Sequence, residues 1–211
     1  MRKLEILAED GQLRRVTVER ALESIEEAAK FQFALEHQLP ELKPKSLADF
    51  HVTIFHFGKP MDLYSELQAV APNLEVASFL DNLYTLLGNC VALESRIVEA
   101  PALGLRIFGG DDDPILVVEL DQATGLAAEH QAVLGFVRSF IRQCGIVDAD
   151  DFMLASYNLK YQADLQFRPH ISLGHLPEDW DEATLAELPQ PNFSVTLHPL
   201  NLRNVTVPSH P

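Results

Sequence analysis

Two stretches of this chain share one pattern, and that pattern limits how the rest can fold. Residues 51–58 read His51-Val52-Thr53-Ile54-Phe55-His56-Phe57-Gly58, and residues 168–175 read Arg168-Pro169-His170-Ile171-Ser172-Leu173-Gly174-His175. Both contain His-x-(Ser/Thr)-aliphatic. Along a β-strand, alternate side chains point to opposite faces. His51 and Thr53 then share a front, with Val52 and Ile54 behind them. His170 and Ser172 share a front in the same way, with Ile171 and Leu173 behind. Each stretch is expected to be a strand with its apolar back on a core and an imidazole and a hydroxyl in front. One such motif is ordinary, since most strand histidines are simply half-buried with a hydrogen-bond partner. The duplication carries the information. Side by side, the two strands offer a base, an acid and two donors for phosphate oxygens, the groups that cleavage of a phosphodiester requires. His56 and His175 each follow their motif histidine by five, an odd offset. In an unbroken strand they face away, so a four-histidine metal site would need a bulge.

The remainder alternates between strand and helix signals. Lys3–Ala8 and Gln12–Val18 flank Asp10-Gly11, a hairpin pattern over residues 1–18. From Glu19 to Leu39, the stripe Ala21, Leu22, Ile25, Ala28, Ala29, Phe33 and Leu39 predicts a helix closed by Pro40, with Phe31 and Phe33 in core or interdomain packing. Lys43 and Lys45 follow in a polar loop, either solvated or lining a site for an anion. After Gly58-Lys59-Pro60 come two helical stretches separated by Pro72, the first capped by Asp62, the second running from about Leu74 to Leu87 and ended by Gly88. Val91–Glu99 and Leu103–Phe108 read as strands. The turn Gly109-Gly110-Asp111-Asp112-Asp113-Pro114 lacks EF-hand spacing and its closing Glu, and it lacks the Lys of a phosphate loop. It reads as a solvated connection to Ile115–Leu120, an apolar strand buried on both sides. Thr124–Cys144 is a long helix with Leu126, Val133, Leu134, Val137, Phe140 and Ile141 on its apolar stripe, His130 on its surface, and Gly145 at its end. Asp148–Asp151 reads as an acidic loop, Trp180–Leu188 as a short helix, Phe193–Val207 as one or two closing strands, and the tail to Pro211 as disordered.

A long helix, a connection and a motif strand therefore occur twice. Residues 1–211 are expected to form one α+β domain with two pseudo-symmetric halves, about 19–60 and about 120–207, each an antiparallel sheet backed by helices around a central cleft.

Composition narrows the partners. The formal net charge is −15, and nearly all of it lies after residue 60: residues 1–60 carry nine Lys and Arg against ten Asp and Glu, the remainder seven against 21. Proteins that grip long nucleic acid do so through clustered Lys and Arg. None occurs here, which argues against a long duplex and leaves room for a nucleotide-sized phosphodiester or a short RNA end. No apolar run reaches the roughly 20 residues of a membrane span. No signal peptide is visible, and Cys90 and Cys144 read as reduced core thiols, so the expectation is a cytoplasmic protein.

The paired motifs resemble those of the 2H phosphoesterase superfamily, which includes the RNA 2′,3′-cyclic phosphodiesterases also called 2′-5′ RNA ligases. Phe167-Arg168-Pro169-His170-Ile171-Ser172-Leu173 is similar to the family's second motif, with the aromatic one place nearer the proline. His51 to Gly58 is similar to the first. The resemblance covers roughly residues 45–205, and many relatives carry an Arg where this chain has His175. It implies a bilobal fold and metal-independent hydrolysis of a 2′,3′-cyclic phosphate to a 2′-phosphate, with no cofactor. It further implies His170 as base, His51 as acid, and Thr53 and Ser172 as donors to non-bridging oxygens. Arg168, Tyr157, Lys160 and Tyr161, just ahead of or within the second motif, are candidates for contacting phosphate or stacking on a base. The chain lacks the Gly-x-Ser-x-Gly elbow of serine hydrolases. The rival readings are a non-catalytic nucleotide-binding module of the same fold and an exonuclease trimming RNA 3′ ends.

Overall fold

The computed structural model describes residues 4–110, 113–160, 162, 167–178 and 180–206. Its strands are β1 (Glu5–Ile6), β2 (Ala8–Glu9), β3 (Gln12–Leu13), β4 (Val16–Ala21), β5 (Lys43–Pro44), β6 (His51–Gly58), β7 (Val98–Phe108), β8 (Ile115–Leu120), β9 (His170–His175), β10 (Ser194–Leu197), β11 (Asn201–Arg203) and β12 (Val205–Thr206). The α-helices are α1 (Glu26–Glu36), α2 (Pro60–Val70), α3 (Val76–Ala92), α4 (Leu126–Gln143) and α5 (Ala149–Ala155).

The main sheet has the order β10-β7-β8-β9-β6-β4-β11, with β5 added against β9. Every pairing in it is antiparallel. The two motif strands are its centre and meet through the single ladder pair Val52–Ile171. The sheet is thus two half-sheets, β11-β4-β6 and β9-β8-β7-β10, joined at their inner edges. A strand–helix–strand unit occurs twice: β4-α1-β6 and β8-α4-β9. Each helix also reaches the other half. On α4, Glu129 binds Arg20 of β4 and His130 lies against Phe55 of β6. On α1, Gln32 donates to the Leu173 carbonyl of β9 at 2.7 Å, and Phe31 packs against Phe193 ahead of β10. The crossed helices hold together halves that share little direct strand pairing.

Arg20 is wholly buried, and all five of its donors are used. It binds both carboxylate oxygens of Glu129, the carbonyls of Arg96 and His198, and Ser95 Oγ. A guanidinium survives such burial only with that complete a set of acceptors.

Several sequence expectations are corrected. The helix predicted from Glu19 begins at Glu26, and Glu19-Arg20-Ala21 continue β4, because the β-branched run from Val16 pairs on both sides. The 1–18 hairpin is confined to β2–β3; β1 leaves it to pair with β12. Phe31 packs as expected, but Phe33 is 52% exposed. Asp62 lies in the first turn of α2, which Pro60 starts. The second helix runs through Gly88 to Ala92, so the expected strand at Val91–Glu99 starts only at Val98 and joins Leu103–Phe108 in one long strand. Asp148–Asp151 is the capped start of α5, with the Asp148 side chain accepting from the Asp151 amide. His130 is only 2% exposed. It lies four residues after Leu126 and three before Val133, so it falls on the buried stripe of α4. Asp111, Asp112 and the tail beyond Thr206 lie outside the described residues. Among the described residues, no helix is long and apolar enough to cross a membrane.

Candidate active site

The back of the motif strands is sealed. Val52, Ile54, Ile171 and Leu173 are fully buried, while His51, Thr53, His170 and Ser172 are half-buried on the front. Antiparallel pairing about Val52–Ile171 sets His51 across from Ser172 and Thr53 across from His170. The two histidines occupy diagonal positions, for which Cα separations are about 7–8 Å. A phosphate group fits between side chains on that spacing.

Both imidazoles are fixed in the same way. His51 Nδ1 lies 2.6 Å from the Asp49 carbonyl, and His170 Nδ1 lies 2.8 Å from the Arg168 carbonyl, in each case two residues upstream. A carbonyl oxygen only accepts, so each Nδ1 carries the hydrogen and each Nε2 is left with its lone pair. The Arg203 guanidinium 3.2 Å from His51 Nδ1 is therefore packed charge rather than a donor to that nitrogen. The ring of Phe108 meets His170 edge-on, with centroids 4.5 Å apart.

Burial pushes His51 down to about 4, helped by the nearby Lys45 and Arg203 and opposed by the carbonyl and carboxylate of Asp49. His170 is also pushed down, chiefly by burial and secondarily by Lys45, against the Arg168 carbonyl and Glu119. Lys45 is thus the cation that acts on both histidines. It sits between β5 and β6, alongside β9. Its amide donates to the Leu173 carbonyl at 2.7 Å, and its own carbonyl accepts from Gln32.

Rows of charge extend from each histidine along the front. On the first half, Glu19 of β4 lies beside His51, and Arg203 of β11 reaches both, with its other end on Asp49. On the second half, Glu119 of β8 is the Cα partner of His170 and is held by Arg106 of β7 at 3.0 Å and by Arg168 at 3.9 Å. Glu19, Asp49, Arg203, Phe108 and Glu119 were not singled out from the sequence. Glu19 was hidden by its assignment to a helix. The period-two pattern Asn201-Leu202-Arg203, with Leu202 buried, was the available signal for Arg203.

The positions of His56 and His175 overturn the parity argument. In β6 the register against β4 shifts around Ile54, and in β9 the register against β8 shifts around Leu173. Each shift is a bulge that puts two successive residues on the back: Ile54 with Phe55, and Leu173 with Gly174. The next-but-one histidine then returns to the front. His56 pairs with Thr17, and His175 pairs with Ile115, both on the front. His56 Nδ1 accepts from the Gly58 amide at 3.2 Å, and His175 Nδ1 meets Asp113 at 2.7 Å. Among the described residues, no group of three or more His, Cys, Asp or Glu side chains is arranged to hold a metal.

The remaining candidates divide. Arg168 is at the site, exposed, beside Glu119. Tyr157 is not: it is 77% exposed and adjoins Asn158, whose side chain packs over Gly58. Gly58 is seven residues along β6 from His51, roughly 23 Å at about 3.3 Å per residue. Lys160 lies over the Tyr157 ring on that same side. Tyr161 lies outside the described residues.

An α+β fold of two antiparallel half-sheets, each with a His-x-(Ser/Thr) strand at its inner edge, is the class this architecture defines. Solved structures of E. coli LigT are similar to this chain in fold. The apo form is 15% identical with a TM-score of 0.51, over 90% of this chain and 87% of that one. The complex with 3′-AMP is 14% identical with a TM-score of 0.50, over 90% and 86%. The likeness is one of fold. No protein-family model matches the chain, and no curated protein matches it by sequence.

Proposed function

We propose that the protein is a metal-independent phosphodiesterase that hydrolyses a 2′,3′-cyclic phosphate, or a related cyclic or 2′-5′ phosphodiester, on a nucleotide or short RNA end. The observation that carries this reading is the matched pair of imidazoles, each with Nδ1 tied to a carbonyl two residues upstream and a bare Nε2, with a hydroxyl on the strand opposite. His170 Nε2 takes a proton from water as the water oxygen attacks phosphorus. His51 Nε2 gives a proton to the leaving ribose oxygen as its bond to phosphorus breaks. Thr53 and Ser172 donate to the non-bridging oxygens, where negative charge grows. Lys45 and Arg203 supply the cationic charge that a phosphate needs on an otherwise acidic protein. The 3′-AMP complex of LigT supports a nucleotide-sized ligand.

One observation favours the rival, a nucleotide-binding module without turnover: with both histidines pushed down, the free site has both imidazoles neutral at pH 7. A bound anionic phosphate favours the charged imidazole and raises both values. The experiment is turnover of 2′,3′-cyclic nucleotides by wild type, His51→Ala and His170→Ala. Each variant is expected to lose about 10²–10⁴-fold in kcat/KM, with Thr53→Ala and Ser172→Ala losing less. A folded His170→Ala protein with the wild-type rate overturns the catalytic reading. Tight binding of the nucleotide without turnover by wild type supports the rival.

A further inference from the structure

The two halves of the site both place a carboxylate beside the motif histidine, but the two carboxylates are partnered differently. Glu119, next to His170, is committed to Arg106 at 3.0 Å. Glu19, next to His51, is 8% exposed, and its Oε2 is buried with no hydrogen bond. That oxygen lies 3.6 Å from His51 Nε2 and 3.8 Å from Arg203 Nη1, at ion-pair range from both and bonded to neither. An orphaned buried carboxylate oxygen is costly and rare. A lone-pair nitrogen facing it compounds the cost, because two acceptors then confront one another. One proton between Oε2 and Nε2 removes both faults at once, whichever atom it is written on.

We propose that Glu19 and His51 hold a single proton in common, and that Glu19 is the positioning residue that makes His51 the proton donor. The second half of this rests on the function proposed above; the first half stands without it. The charged and titratable groups around the pair are Arg203 from β11, Asp49 and Lys45 from the segment ahead of β6, and His170 across the strand pair. Arg203 and Lys45 oppose a proton on His51, as does burial. Asp49 favours it, but its carboxylate is taken by Arg203. Glu19 is the remaining anion facing Nε2 among the described residues. Burial raises Glu19 as it lowers His51, so the two approach each other as proton carriers, and a proton held in common would make them titrate as a pair. Glu119 also favours a proton on His170, but its carboxylate is held by Arg106 at 3.0 Å and Arg168 at 3.9 Å, so its pull is divided and His170 is the partner suited to be the base. In the reaction the shared proton passes from Nε2 to the leaving oxygen, the base releases the proton it took from water to solvent, and the Glu19–His51 pair regains one from solvent.

The test is ¹⁵N NMR of the two imidazoles in the ligand-free protein between pH 5 and 8, in wild type and Glu19→Gln. In wild type, Glu19 is expected to lift His51 above the value of about 4 set by burial, Lys45, Arg203 and Asp49, so its Nε2 resonance should move toward its protonated position within that range. In Glu19→Gln it should stay at the neutral position throughout, while His170 is unchanged between the two proteins. The same His51 behaviour in both proteins overturns the proposal. Should Glu19→Gln not fold, Glu19→Asp, with its carboxyl withdrawn by one methylene, should lower the His51 midpoint, and an unmoved midpoint refutes the idea equally. Turnover supplies the second arm: the alkaline limb of kcat should fall by about one pH unit in Glu19→Gln, a tenfold change in the proton affinity of the complex, with KM little altered. If no variant or wild type turns over, the proposed function fails, and the NMR result still decides whether the proton is shared.

Discussion

His130 gives the fold a calculable sensitivity to acid. Its ring is buried on α4, stacked on Phe167 with centroids 4.4 Å apart and 13° between planes, and Phe55 lies on another side at 6.0 Å. Its Nδ1 has no hydrogen-bond partner. Burial alone lowers it from 6.5 to about 4. The unfolded chain therefore takes a proton at this position below about pH 6.5, and the folded protein does so only near 4. Protons favour the unfolded state across that window. The contribution is fully present above 6.5, shrinks as pH falls, and is gone below 4. Linkage makes the loss roughly 2 kcal/mol at pH 5 and about 3 kcal/mol once both states are protonated. His130→Phe keeps a flat ring against Phe167 and removes the titration. Urea unfolding at pH 7.5 and pH 5.0 should show wild type losing about 2 kcal/mol more than the variant between the two. Comparing pH differences cancels any packing penalty of the larger ring, as well as the contributions of His51, His56 and His170, which both proteins share. An equal loss in both would mean that His130 is hydrated or partnered in solution, and the reasoning from its burial would fail. The consequence extends to the site, because Phe167 leads directly into Arg168 and His170. Charging His130 against the Phe167 ring is therefore expected to disturb the approach to the second motif.

Two further outcomes follow from the site. Turnover of a cyclic nucleotide should survive a strong chelator; activity lost to EDTA and restored by zinc or manganese would mean that the histidines are ligands rather than acid and base. Gly174→Ala should destabilise the protein by about 1–3 kcal/mol and depress kcat/KM as well, because the new Cβ would lie 2.5 Å from the Lys43 carbonyl and 3.0 Å from Pro44 Cα, forcing β5 and Lys45 away from the histidines; unchanged urea unfolding and activity would show that β5 yields freely.

The core of the site was legible in sequence because it is local. His-x-(Ser/Thr)-aliphatic sets its own faces through the two-residue period of a strand, and His51, Thr53, His170 and Ser172 face as that period requires. The duplication also pointed to two halves, since a helix precedes each motif strand. What failed depended on long-range contacts. Glu19-Arg20-Ala21 has a helical spacing of its own, but Val16–Ala21 is paired by β6 on one side and Thr17–Glu19 by β11 on the other, and ladder bonds from residues 30 to 186 positions away outweigh local propensity. His56 and His175 were assigned to the wrong face because a bulge is visible only in the register against a neighbouring strand, not within the bulged strand itself. Asp49, Arg203 and Lys45 surround His51 only once β11 closes on β4 and the segment before β6 folds back along β9. The residue types at the site's centre were thus written into two octapeptides. Their electrostatics, and above all the carboxylate oxygen without a hydrogen bond beside one histidine and the arginine-held carboxylate beside the other, were decided by which distant strands came to lie next to them.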